Sequence, residues 1–201
     1  MTEREKCMAG EWYDAAGDPE LQAIMQRTQE LMYDFNHARP SEREKANALL
    51  RQALGSVGEG SVVLAPFQCD YGVNIHIGRD CFFNKGCCIL DERPVEFGDH
   101  VFVGPMCGFH AAIHPTDIAR RAAGIERAEP IRVGSHVWIG AQVCVLPGVS
   151  IGDCSIVGAG SVVTRDIPPR SVAVGNPCRV IRTLTEEELG EIPDEFGKNE
   201  P

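Results

Sequence analysis

A β-branched apolar residue returns every six positions through the C-terminal half of this chain: Val133, Ile139, Val145, Ile151, Val157 and Val163. Two residues before each stands another apolar or small residue, namely Ile131, Val137, Val143, Val149, Ser155 and Ser161. Glycine follows four of the six, at Gly134, Gly140, Gly152 and Gly158. Neither the helical nor the strand period produces this spacing. A fixed six-residue repeat is the signature of a parallel β-helix built from hexapeptides. Each hexapeptide forms one short side of a triangular prism, one side chain points inward, and glycine lets the corner turn.

The same period runs upstream through Ile77, Phe83 and Ile89, and through Phe97, Val103 and Phe109. These two triplets are separated by eight residues, so two extra residues are expected to bulge outward near Asp91 to Arg93. Phe109 and Val133 lie 24 apart, and the more polar stretch 110–130 between them breaks the repeat, which predicts a loop thrown out of the prism. Long loops in compact domains are usually functional.

Residues 1–57 read as a helical cap. Asp18-Pro19-Glu20 has the form of a helix start, followed by an apolar stripe at Leu21, Ile24, Met25, Leu31, Met32 and Phe35. Pro40 ends that helix. Ser41 and Glu44 fit a capping box for a second, which ends at Gly55. Such a cap would cover the unpaired edge that terminates a solenoid. The organisation expected is a cap over 1–57, a β-helix over 58–183 with its loop at 110–130, and an acidic tail over 184–201.

The chain holds 201 residues with a net charge of −10, which disfavours nucleic acid and anionic membranes as partners. No apolar run is long enough to span a bilayer, and the N-terminus lacks a signal core. The nine cysteines form no CxxC pair, and Cys81, Cys87 and Cys107 occupy positions where later rungs carry valine. They read as small buried hydrophobes in a reducing cytoplasm, with no metal site expected. Against this acidic background, Arg165, Arg170, Arg179 and Arg182 cluster with a single acid, Asp166, which suggests a phosphate-bearing ligand.

The loop opens with CGFHAAIHPTD. His114 precedes a proline, so its backbone is biased toward an extended form, and an imidazole on such a stem suits a general base. His110 is a competitor for that role. Asn84 is either a corner asparagine in left-handed backbone or a hydrogen-bonding partner for a substrate.

The motifs GEWYD, LMYDFNHARPSE, CDYGVNIHIG, VWIGAQVCVLPGVSIGD, IVGAGSVVTRDIPP and VAVGNPCRVIR, with the His-Pro loop between them, resemble the maltose/galactoside O-acetyltransferases of the hexapeptide-repeat acyltransferase superfamily. The resemblance spans roughly residues 8–183. It implies a left-handed β-helix, a homotrimer with active sites between subunits, and acetyl transfer from acetyl-CoA to a sugar hydroxyl. The family's catalytic histidine falls on His114. Its acceptor-side positions fall on Asp14, Asp70, Asn84, Asp91 or Glu92, and loosely on Glu126. The coenzyme groove falls on Trp138, Ala141, Ala159, Thr164, Arg165, Arg179 and Arg182, with an oxyanion donor in the Gly140–Ala141 turn. A non-sugar acceptor such as an antibiotic, a non-catalytic scaffold, and a three-histidine zinc enzyme of the γ-carbonic anhydrase type are the rival readings. The last fits poorly, because that family spaces its paired ligands by five and His110 and His114 are four apart.

Overall fold

In the computed structural model, which describes residues 1–190, the repeat forms a left-handed parallel β-helix. Three parallel faces share the core. The first stacks Ser56–Val57, Ile75–Ile77, Val95–Phe97, Ile131–Val133 and Ser150–Ile151. The second stacks Val62–Val63, Phe82–Phe83, Phe102–Val103, Trp138–Ile139, Ile156–Val157 and Ser171–Val174, closed by the antiparallel strand Arg179–Thr183. The third stacks Phe67–Cys69, Cys87–Leu90, Gly108–His110, Cys144–Val145 and Val162–Val163. All six residues of the hexapeptide series from Val133 to Val163 are buried, as are Ile77, Phe83, Ile89, Phe97, Val103 and Phe109. Alternation across each short strand sends every second side chain inward, so a six-residue step keeps one apolar residue per face in the core. Cys81, Cys87 and Cys107 are buried there too, and all nine cysteines are free thiols.

The corner between the second and third faces is regular. Asn84, Gly104, Gly140 and Gly158 donate in turn to Val103, Ile139, Val157 and Ala173, so they stack as equivalent positions. A Cβ on Gly140 would lie 2.6 Å from the Ala159 amide nitrogen, which is why glycine is required for that stacking. The corner between the third and first faces is irregular in three successive coils. It holds residues 70–74, then 91–94, then the whole excursion 111–130. That excursion is a small antiparallel sheet rather than an open loop: Ala112–Ile113 pairs with Ile125–Ala128, which pairs with Tyr13–Asp14 near the N-terminus.

Helices α1 (Glu3–Ala9), α2 (Pro19–His37) and α3 (Arg43–Ala53) build the cap. Asp18 caps α2, its carboxylate accepting from the N–H of Glu20 and Leu21. Met32, Phe35, Leu50, Ala53 and Leu54 join the first coils' core and close the open end of the prism. Two expectations are corrected here. Ser41 does not cap α3: Pro40–Glu42 forms a 3-10 turn, because proline presets the first helical φ, and Glu42 folds back to accept from the Arg39 N–H at 3.1 Å. Asp91 and Glu92 do not bulge away from the molecule; they are 0% and 4% exposed. The N-terminal segment seals them in, with Cys7 donating to the Glu92 carbonyl and packing in a satellite core with Tyr13, Leu21 and Tyr71.

Near the C-terminus, α4 (Ile118–Ala122) having ended within the excursion, α5 spans Glu186–Leu189. The rest of the expected acidic tail, 191–201, lies outside the described residues. No helix among the described residues is long and apolar enough to cross a membrane.

Candidate active site

The irregular corner gathers most of the expected acceptor-side residues. Register places His114 beside Glu126, since Ile113 pairs with Arg127 across the two strands. The His114 Nε2 lies 3.9 Å from Glu126 Oε2, and its Nδ1 lies 3.4 Å from the Ile125 carbonyl oxygen. Half of the His114 side chain, 54%, faces solvent. Glu126 accepts from the hydroxyl of Tyr13, its partner on the N-terminal strand. Asp14, next along that strand, faces Ile125 and accepts from the Gly17 N–H at 2.9 Å. Trp12 lies beneath the guanidinium groups of Arg120 and Arg127, at 4.7 and 5.4 Å. These cation–π contacts tie the excursion to the cap. The segment that positions His114 is therefore held by residues about a hundred positions away.

Asp70 and Glu92 sit on the two coils beneath. Burial, followed by the facing carboxyl of Asp70, pushes Glu92 up to about 9, so it keeps a proton at neutral pH. Burial also raises Glu126, with Tyr13 opposing. Burial lowers His110, with the Asp70 carboxyl opposing. Asp91 has a different job from the one expected. Its carboxyl accepts from the N–H of Asp70, Tyr71 and Asn74, at 3.2, 2.9 and 3.2 Å. Fully buried and so occupied, it cannot reach an acceptor; it fixes the turn that presents Asp70. Burial nevertheless raises it to about 7 against those amides.

Four buried side-chain polar atoms lack a hydrogen-bond partner among the described residues: Tyr71 Oη, Glu92 Oε2, Arg93 Nε and His110 Nδ1. Three belong to this corner, and His110 ends the strand that leads into it. Tyr13 and Tyr71 had no assigned role in the sequence, although both stand in the motifs GEWYD and CDYG, and the concentration of buried unsatisfied groups is what singles the corner out.

A pH dependence follows from Asp91 and Glu92. Both hold protons in the folded state that the unfolded chain releases near the ordinary carboxylate range of about 4. Their stabilisation is complete below that range and is lost as pH rises through about 7 and about 9. Thermal melting is expected to fall from pH 5 to pH 9, with a shallower slope in Glu92→Gln. A melting temperature that rises over this interval would contradict the assignment.

The expected coenzyme residues lie elsewhere, on the regular corner and the second face. Ala141 and Ala159 stack there on later coils, above Asn84, whose side-chain oxygen accepts from the Lys85 N–H. Trp138 is 58% exposed and stands outward between Phe102 and Ile156. Thr164 and Arg165 follow the last full rung, and Arg179 is exposed on the closing strand. Arg182 is not free: Glu188 of α5 holds it in a bidentate pair at 2.8 and 2.7 Å.

His114 and Asn84 thus occupy opposite ends of one face. Asn84 precedes Cys87–Leu90, and Leu90 pairs with His110 at the far end of the strand. Four residues of strand, Cys87–Leu90, separate the two corners, roughly 13 Å at about 3.3 Å per residue. A single chain does not bring them together. No group of three or more metal-ligating side chains occurs among the described residues.

Residues 6–58 match the maltose acetyltransferase hexapeptide capping motif, and residues 130–165 match the bacterial transferase hexapeptide of six repeats. The galactoside O-acetyltransferase of Escherichia coli K12 is 44% identical over 162 residues, covering 81% of this chain and 80% of that one. A solved galactoside acetyltransferase in complex with coenzyme A superposes with a TM-score of 0.90 at 39% identity, covering 98% of both chains. A maltose O-acetyltransferase from Clostridium difficile 630 gives 0.83 at 43% identity, over 92% of this chain and 99% of that one. Both the cap and the repeat match their family models, the relatives align over most of the chain, and the chain belongs to the maltose/galactoside O-acetyltransferase family of hexapeptide-repeat acyltransferases.

Proposed function

We propose that this protein transfers the acetyl group of acetyl-CoA to a hydroxyl of a sugar or glycoside, in a cytoplasmic homotrimer whose active sites form between neighbouring chains. The observation that carries the reading is the division of the site residues between two corners. One corner offers a base and carboxylates; the other offers the small residues Ala141 and Ala159 on the coils that lead to the arginines. Neither is complete alone, and a threefold arrangement that sets the irregular corner of one prism against the regular corner of the next supplies both halves. The coenzyme A bound in the galactoside acetyltransferase relative supports the cofactor assignment.

In this mechanism the Nδ1–H of His114 turns toward the Ile125 carbonyl, which leaves the Nε2 lone pair for the acceptor. As the hydroxyl oxygen attacks the thioester carbonyl, its proton passes to Nε2. Glu126, 3.9 Å away, stabilises the imidazolium. The C–S bond then breaks and the coenzyme leaves as its thiol, taking that proton. The thioester is already activated, so direct transfer needs no covalent enzyme intermediate. The oxyanion donor narrows to the Ala141 N–H, because Gly140 already donates to Val157.

Arg179 and Arg182 would meet the coenzyme's phosphates. Arg182 must first release Glu188, an exposed pair worth little. Glu188→Gln is expected to tighten coenzyme A binding roughly two- to fivefold at low salt; calorimetric titration of both forms checks it, and unchanged or weaker binding would remove Arg182 from the phosphate site.

The reading as a whole is tested by thiol release from acetyl-CoA with a panel of sugars and glycosides. Acceptor-dependent release is expected. Coenzyme binding without release would move the acceptor to another chemical class, and no binding would leave only a scaffold.

A further inference from the structure

The regular corner is held from inside the prism by small buried donors. The Cys107 thiol, 1% exposed, donates to the Gly140 carbonyl of the coil above at 3.0 Å. The Cys87 thiol holds the Asn84 carbonyl at 3.1 Å, and the Ser161 hydroxyl holds the Gly158 carbonyl at 2.6 Å. These three carbonyls therefore point into the core. In a trans peptide the C=O and the following N–H point in opposite directions, so each inward carbonyl turns the next N–H outward. The lowest of these coils displays the result: the Lys85 N–H faces out and is met by the Asn84 side-chain oxygen at 2.8 Å. One coil up, Pro105 has no N–H to offer. The Ala141 N–H is then the first above Asn84 with no hydrogen-bond partner among the described residues.

We propose that Cys107 is a positioning residue for acetyl transfer: its thiol pins the Gly140 carbonyl inward and thereby aims the Ala141 N–H at the thioester oxygen. This rests on the acetyltransferase reading with Ala141 as the oxyanion donor, and it adds the group that orients that donor. Cys107 is buried and reaches neither substrate. Glycine at 140 gives the thiol its purpose, because a residue without a Cβ leaves its peptide the widest rotational freedom. An oxyanion donor helps only if it is already aimed when the charge develops. The role of small hydrophobe accounts for the size of Cys107 but not for this bond; the next coil carries Val143 at the equivalent position, which fills the same space without donating. The bond needs the protonated thiol. Cys87, bonded beneath, draws Cys107 below the ordinary thiol value, with burial opposing, so the test is run at pH 6.5.

The test compares the full-length wild type with Cys107→Val, which keeps the volume and removes the donor, and Cys107→Ser, which keeps a donor. Thiol release from acetyl-CoA with the most reactive sugar of the panel gives kcat and KM, and coenzyme A titration and thermal melting are measured on the same preparations. Cys107→Val is expected to lower kcat roughly three- to tenfold, as for one lost hydrogen bond, with KM, coenzyme affinity and melting temperature unchanged. Cys107→Ser is expected to stay within about twofold of wild type in kcat. If the valine variant fails to fold, Cys107→Ala takes its place, with the same expected loss of kcat. With an active wild type, an unchanged kcat in the folded donorless variant, an equal loss in the serine variant, or a loss that appears in KM or in coenzyme affinity instead of kcat would overturn the inference and leave acetyl transfer standing. No release by the wild type with any sugar would overturn both.

Discussion

His114→Ala is expected to lower acetyl transfer roughly 10²–10⁴-fold while leaving the affinity for acetyl-CoA unchanged. A sugar hydroxyl is far too weakly acidic to attack a thioester at neutral pH unless its proton leaves as the bond forms. The imidazole acts only at that moment, so its loss falls on kcat and kcat/KM together rather than on ground-state binding. The expected coenzyme groove lies on a different corner from His114, which is why the two properties separate. Steady-state kinetics and coenzyme titration on the same preparation provide the check. Normal turnover in the variant would remove His114 from the mechanism and pass its role to His110, the other imidazole at that corner.

The second large effect is structural. Ile151→Asp is expected to leave the chain unfolded or insoluble. Ile151 is buried in the apolar core, paired with Val133 below and bridged to Ile167 above. Removing one buried apolar side chain costs about 2–5 kcal/mol and burying an unpaired charge adds several more, against a total stability of about 5–15 kcal/mol for a typical domain. Ile151→Val keeps the inward shape and is expected to cost only about 0.5–1.5 kcal/mol. Circular dichroism and melting of the two variants decide it; an aspartate variant that melts like wild type would mean that the inward positions of the repeat are misassigned.

The hexapeptide series was readable because each inward residue reports one face, so the period alone fixes which side chains meet. Spacing could not show direction at the irregular corner. Between Ile89 and Phe97 it counts two extra residues, but whether Asp91 and Glu92 turn out to solvent or in beneath α1 depends on an N-terminal segment some eighty positions away. The strand Tyr13–Asp14 is two residues long and exists only because Glu126 and Ile125 are there to pair with it. Nothing local announces such a strand, and so Tyr13 carried no assigned role. Ser41 had the right spacing for a capping box, but the rigid ring of Pro40 starts the turn earlier and hands the box to Glu42. The arginine cluster was legible as a group; that Glu188 already holds one of its members was not, because that pairing depends on where α5 comes to rest.

The most direct test of the divided site is subunit complementation between His114→Ala and Asn84→Ala. Each variant alone is expected to be nearly inactive. Unfolding and refolding them together lets mixed assemblies form, and in some of these one interface combines an intact His114 from one chain with an intact Asn84 from its neighbour. Regain of acetyl transfer on co-refolding, absent when each variant is refolded alone, is the expected result. Mixed assemblies that form and remain as inactive as the separate variants would contradict a site built between chains.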